Sequence, residues 1–154
     1  MASSTFSASG SKANYAGRAG TTTFSEVLVV AGRILFSFIF IMGGLNLFSR
    51  QTIGFAASQG VPLANLAVPL AGVIAILGGL SVVLGYHARL GAWLIVLFLV
   101  PVTLMMHKFW GVPDPATAQL QMVMFMKNIS MLGGALIVSQ MGAGPFSLDS
   151  RAGR

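Results

Sequence analysis

Long apolar runs alternate along the chain with short polar or turn-rich stretches. The first run, 27–48, is about 33 Å long as an α-helix, enough to cross a hydrocarbon core of roughly 30 Å. Three more runs follow, at 66–86, 90–106 and 122–141. The third span is short and holds Pro101, which cannot donate a backbone hydrogen bond, so a kink is expected there that leaves the Leu97 carbonyl needing another partner. Gly54, Gly60 and Pro62 mark a loop between the first two spans. Trp110-Gly111-Val112-Pro113-Asp114-Pro115 marks a non-helical turn between the last two. The link from Tyr86 to Arg89 is so short that the middle spans form a hairpin. This pattern predicts an all-α, integral membrane four-helix bundle.

Outside the membrane domain, 24–142, the sequence changes character. Residues 1–23 are mostly Ser, Ala, Gly and Thr with Lys12 and Arg18, too polar to bury a core, and read as a flexible N-terminal tail. A cleaved signal needs an apolar core of about 7 to 15 residues, and the run that follows the tail is longer than that. Residues 143–154 read as a C-terminal tail.

Composition sharpens the membrane reading. Hydrophobic residues make up 55% of the chain and charged residues 8%, far below the roughly 25% that a water-facing surface requires. The absence of cysteine removes disulfides, thiol redox chemistry, and thiolate-held zinc and iron–sulfur sites. A net charge of +6, from nine Lys and Arg against three acids, is scattered between apolar runs. It forms no block of the kind that binds nucleic acid, so anionic lipid is the expected partner. Lys12, Arg18, Arg89, Arg151 and Arg154 gather on one side of the predicted bundle, against Arg50 and Lys108 on the other. The excess places both termini in the cytoplasm.

Small residues point to close helix packing. Gly43-Gly44, Gly78-Gly79 and Gly133-Gly134 pair in three spans, and Ala71, Ala75 and Gly79 recur every four residues along one helix face. Arg33 lies about two turns inside the first span, where an unsatisfied guanidinium costs a few kcal/mol or more. Gly78-Gly79 and Gly133-Gly134 fall at a similar depth, and the space they leave is one expected home for it. Snorkelling to the headgroups is the other.

At the opposite end, Asn46, Arg50, His107, Lys108, Lys127 and Asn128 could line an electropositive pocket for a sulfur oxyanion, a lipid phosphate or the carbonyls of a quinone. Arg50, His107 and Lys108 read equally as interfacial anchors beside Trp110. Lys127 and Asn128 sit inside the fourth span, where ionisable and polar groups point to function. A soft-metal site built from His107 and the neighbouring methionines is set aside, because Met124 diverges from Met122 and Met126 on a helix. No metal site is expected. His87 and His107 fall at opposite ends of one span, so no haem-type pair forms, and no catalytic constellation is visible.

Gly-Arg-Ile-Leu at 32–35, Gly-Gly-Leu at 43–45, Gly78-Gly79-Leu80 with Gly85 and Arg89, and the closing Gly142-Ala-Gly-Pro-Phe-Ser-Leu-Asp149 resemble the DoxX family of small four-helix bacterial membrane proteins. The resemblance covers about residues 27–150. It matches Arg33, Gly44, Gly79, Gly85, Arg89 and Asp149 to the family pattern. Many DoxX proteins carry an acid near Ala75 and a lysine near Asn46; this chain departs from the pattern at both, so the resemblance does not carry a proton-relay or ion-pair role over to those places. The resemblance implies the bacterial inner membrane and a setting of membrane oxidoreduction, since DoxX proteins include a subunit of thiosulfate:quinone oxidoreductase.

Together these readings predict a subunit of a larger, redox-linked membrane complex. It would position a quinone or a partner protein, with no intrinsic cofactor and no catalytic set. The alternatives are a catalytic subunit of a sulfur-oxyanion:quinone oxidoreductase and a small transporter or assembly factor. Lipids are the expected surroundings, and other subunits or further copies of the chain the expected partners.

Overall fold

The structure is a computed structural model and describes residues 9–153, with side chains described from Thr23 onward. Residues 1–8 and Arg154, and the side chains of Lys12 and Arg18, lie outside the described residues. The described chain contains α1 (Ser9–Asn46), α2 (Arg50–Ser58), α3 (Ala64–Leu84), α4 (Ala88–Met106), a 3-10 turn (Phe109–Gly111), α5 (Pro115–Met141) and α6 (Leu148–Arg151). Four helices are long and apolar enough to cross a membrane, over Thr23–Asn46, Ala64–Leu84, Ala88–Gly111 and Pro115–Met141. They pack in chain order, α1 on α3, α3 on α4 and α4 on α5.

Three boundaries differ from the sequence expectation. Helix α1 begins at Ser9, inside the stretch read as a flexible tail. Once an apolar span has nucleated a helix, extending it through Ala, Ser and Thr costs little per residue. The loop expected around Gly54 is instead α2, with Ser49 as its N-cap, whose Oγ accepts from the Thr52 N–H at 3.2 Å. One glycine costs only about 1 kcal/mol in a helix, and the buried Ala56 anchors α2 against Ala64 and Val68. The fourth span starts earlier than the expected 122, since α5 begins at Pro115 with Asp114 as its N-cap, whereas α4 runs through Pro101 and ends at Met106 as the third span was expected to.

Close contacts along the bundle explain its small residues. A Cβ on Gly44 would lie 2.9 Å from the Gly72 carbonyl oxygen, and one on Gly72 would lie 2.8 Å from that of Gly44. This pair brings the backbones of α1 and α3 together. Gly78 and Gly91 play the same part between α3 and α4. Gly79 packs on Ser37, Phe40 and Ile41 of α1, Gly134 packs on the Phe36 ring, and Ala75 is fully buried. Gly43 and Gly133, in contrast, have nothing near the place of a Cβ. Neighbouring helix residues point about 100° apart, so one member of each of these pairs faces a helix and the other faces away. Phe40, Val82, Ile95, Leu99 and Ala135 form the central core, with Phe36 and Phe98 packed against it.

The last residues are not a free tail. After α5 the chain turns at Gly142 (φ 78°) and Gly144 (φ 69°), folds back over the ends of α3 and α4, and closes with α6. Residues 142–151 are called the strap below, and the end of the bundle they cover is the strap end. The other end carries α2 and the 3-10 turn and is the far end.

Candidate functional site

The strap end is built around Arg33. Its side chain is 6% exposed, so it does not snorkel. The two terminal nitrogens donate to the strap, Nη1 to the Ala143 carbonyl at 2.8 Å and Nη2 to the Phe146 carbonyl at 3.0 Å. The space between the glycine pairs, the other expected home, is filled by Ile95, Ile41, Phe40 and Phe36. The guanidinium therefore lies at the ends of α3 and α5, where the helix dipoles present partial negative charge. Its Nε, and the Ser37 hydroxyl one turn further along α1, are buried without a hydrogen-bond partner.

Gly85 makes room for this arrangement. It adopts φ 63°, and a Cβ there would collide with Ser147 and lie 2.8 Å from Arg33 Nη1. Left-handed backbone and lack of space both favour glycine. Asp149 then ties the strap to the start of α4, which has no side-chain cap of its own. One carboxylate oxygen accepts from the His87 N–H at 2.8 Å and the other from the Ala88 N–H at 3.0 Å, while the Asp149 N–H donates to the Gly85 carbonyl at 2.8 Å. A carboxylate at a helix N-terminus also interacts favourably with the dipole. These bonds hold His87 (φ 48°), and the Arg33 bond to its carbonyl holds Phe146 (φ 49°), in the left-handed region, which costs a non-glycine residue roughly 1–2 kcal/mol. Ser147 completes the strap through a reciprocal cap with Ser150.

Beside the strap lies a cleft of about 560 Å³ lined by Arg89, His87, Leu90, Met141, Ser147 and Asp149, among others. Arg89 runs across the Gly142 turn, its Nε 3.4 Å from where a Cβ would stand.

The far end holds a different cavity. A groove of about 480 Å³ runs between the outer halves of α3 and α4 and is closed by α2, with walls that include Ala56, Val68, Ile74, Phe98, Pro101 and Met105. Polar side chains enter its lining only as Thr52 and His107. His107 Nδ1 lies 2.8 Å from Gln121 Oε1. With the amide in this orientation Nδ1 is the donor, and the neutral ring keeps Nε2 as an acceptor. Ala71, half-buried, lines the same groove, as does Leu97, whose carbonyl receives no helix bond from Pro101.

The other polar residues of the far end do not converge on this groove. Arg50 lines a separate hollow with Asn65 and Leu63. Asn46 and Lys108 are exposed and Asn128 is buried in the bundle. Lys127 is exposed on α5, and its Nζ donates to the Met124 sulfur at 3.4 Å. The expected electropositive pocket is thus not assembled, because α2 and α5 carry these charges onto different faces. Among the described residues no group of three or more His, Asp or Glu is placed to hold a metal ion.

Over residues 7–153 the chain matches the SURF4 family. It belongs to that family. A relative of this SURF4-family protein is the Inner membrane protein YphA of Escherichia coli (strain K12), 31% identical over 127 residues, which cover 81% of this chain and 90% of the relative. No solved structure matches. The resemblance to the DoxX family is overturned by the SURF4 match. The glycines and the closing Gly-Pro-Phe-Ser-Leu-Asp that carried it do packing and strap work, which marks a small helical bundle without marking a reaction. This SURF4-family chain is a small, multi-pass inner membrane protein whose four spans meet lipid through large exposed apolar residues such as Leu35, Phe38 and Ile137.

Several residues of these sites were not singled out from sequence. The Ala143 and Phe146 carbonyls carry no side-chain signal. Ser147 had one, a Ser three residues before Ser150 in a capping pattern. Gln121, at the start of the fourth span, had none.

Proposed function

We propose that this SURF4-family protein is a binding subunit, not itself catalytic, that seats an isoprenoid quinone in its far groove and presents it to a redox partner in the membrane. The observation that carries the reading is the groove: an apolar trough of about 480 Å³ with His107 and Thr52 as its polar lining. An apolar chain suits the walls, and a polar head group suits the two side chains. A neutral His107 offers Nε2 to the hydroxyl of the reduced, quinol form, while a protonated one offers a donor to the quinone carbonyl. Any electron transfer belongs to the partner.

A partner is supported by the outward faces of α1 and α5. Gly43 and Gly133 leave flat, small surfaces there, which allow another helix to approach closely. Lys127 stands exposed within a membrane span with a thioether, a weak acceptor, as its bonded neighbour. The strap end, richer in Lys and Arg, faces the cytoplasm in this reading.

The test is to purify the protein in mild detergent, extract it and quantify bound quinone. Quinone should co-purify in stoichiometric amount with the native protein and fall to background in Ala71→Phe, which places a ring in the groove. Background quinone in both proteins would sink the reading.

A further inference from the structure

We propose that the cleft at the strap end is a binding site for an anionic phospholipid, with Arg89 as the cation that holds the phosphate. The site is separate from the far groove and does not depend on the quinone reading.

The cleft has about 560 Å³ of space, ample for a phosphodiester head group. Its lining is divided in a way that matches an amphiphile. Arg89, His87, Ser147 and Ser150 supply polar groups, whereas Leu90 and Met141, 63% and 77% exposed, supply apolar surface at the ends of α4 and α5. Both helices cross the membrane, so the apolar lip of the cleft meets acyl chains at the depth where the polar part meets head groups. A free anion in water has no use for that lip.

The charge balance has the right sign. Asp149 also lines the cleft, but its two oxygens accept from the His87 and Ala88 N–H groups at the start of α4, and the helix dipole there offsets much of its charge. Arg89 is exposed on the same wall. Its stem is held across the Gly142 turn, where φ 78° and the nearness of Arg89 Nε keep the residue a glycine. Arg151, in the last turn of α6, adds a second positive charge to the strap end. A guanidinium presents paired N–H donors to phosphate oxygens, and near an anionic surface each such residue strengthens lipid binding.

The experiment uses the full protein and defined lipids. Purified protein is incubated with equimolar phosphatidylglycerol and phosphatidylcholine, and retained lipid is measured by native mass spectrometry. Phosphatidylglycerol should be retained in preference, and Arg89→Gln should lower that preference by about fivefold. Arg89→Lys should keep most of it. Equal retention of the two lipids by the native protein overturns the proposal without recourse to any variant. An inorganic phosphate arm separates the sources: if millimolar phosphate displaces phosphatidylglycerol, the site is for a free anion and the lipid assignment is wrong.

Discussion

At the strap end, α4 is capped by Asp149 from 61 and 62 residues away, and Arg33 reaches carbonyls 110 and 113 residues along the chain. At the far end, α5 is capped by its own neighbour: Asp114 accepts from the Thr117 N–H at 2.8 Å and from the Thr117 hydroxyl at 2.6 Å. One end is therefore closed by long-range polar bonds that fix three helices relative to one another. The other satisfies its helix ends locally and leaves an apolar groove between α3 and α4. The contrast teaches that a small bundle in lipid, where burial of apolar surface does not drive helix association, can lock its helices together with long-range polar contacts at one end and leave an apolar groove between them at the other.

The largest expected effect comes from unlocking the strap. Arg33→Ala removes two charge-assisted hydrogen bonds and strands the Ala143 and Phe146 carbonyls, so it should lower stability by about 3 kcal/mol, read from thermal unfolding in detergent. A smaller loss, about 2 kcal/mol, is expected for Gly85→Ala, which combines left-handed strain with a collision at Ser147. Both variants should leave quinone retention at the far groove intact once folded, and loss of retention at full folding would break the division between the ends.

Acid provides a finer probe of the far end. The hydrogen bonds from the Thr117 side chain, then from its backbone, hold the Asp114 carboxyl below its usual 3.8. A depressed carboxyl stabilises the folded state fully above its unfolded value and loses that contribution as pH falls through the folded one. Once the intrinsic pH dependence of exchange is divided out, the protection of the first-turn amides of α5 should thus fall below about pH 4 relative to neutral pH, with Asp114→Asn showing no such fall. The smallest effect is expected at Ser37. Its buried hydroxyl has no partner, so Ser37→Ala should leave the unfolding midpoint unchanged or raise it slightly. A loss above about 1 kcal/mol would mean that the hydroxyl makes a bond after all.

The four spans were legible in the sequence because a membrane helix announces itself by length and apolarity. The strap was not. Arg33 pairs with backbone carbonyls, which every residue carries, so nothing in the pattern at 143–146 distinguishes an acceptor from a tail. Gly54, a loop signal in its own right, masked helix α2, although Ser49 followed by Thr52 carried the cap signal. The glycine pairs showed that helices approach closely without showing that only Gly44 and Gly134 do so in their pairs, whereas Gly78 and Gly79 both do, against different helices. His107 was visible as a polar residue at a span end, but its groove depends on α2 folding back beneath α3, which no local signal records. The wider electropositive pocket was read from depth along the chain, and depth does not say which way a side chain faces.

The most direct test of the division between the ends is the unfolding midpoint of the purified protein titrated with a short-chain quinol. A saturable rise is expected in the native protein and in Gly85→Ala, and no rise in Ala71→Phe. An equal rise in Ala71→Phe, or none in the native protein, would contradict that division.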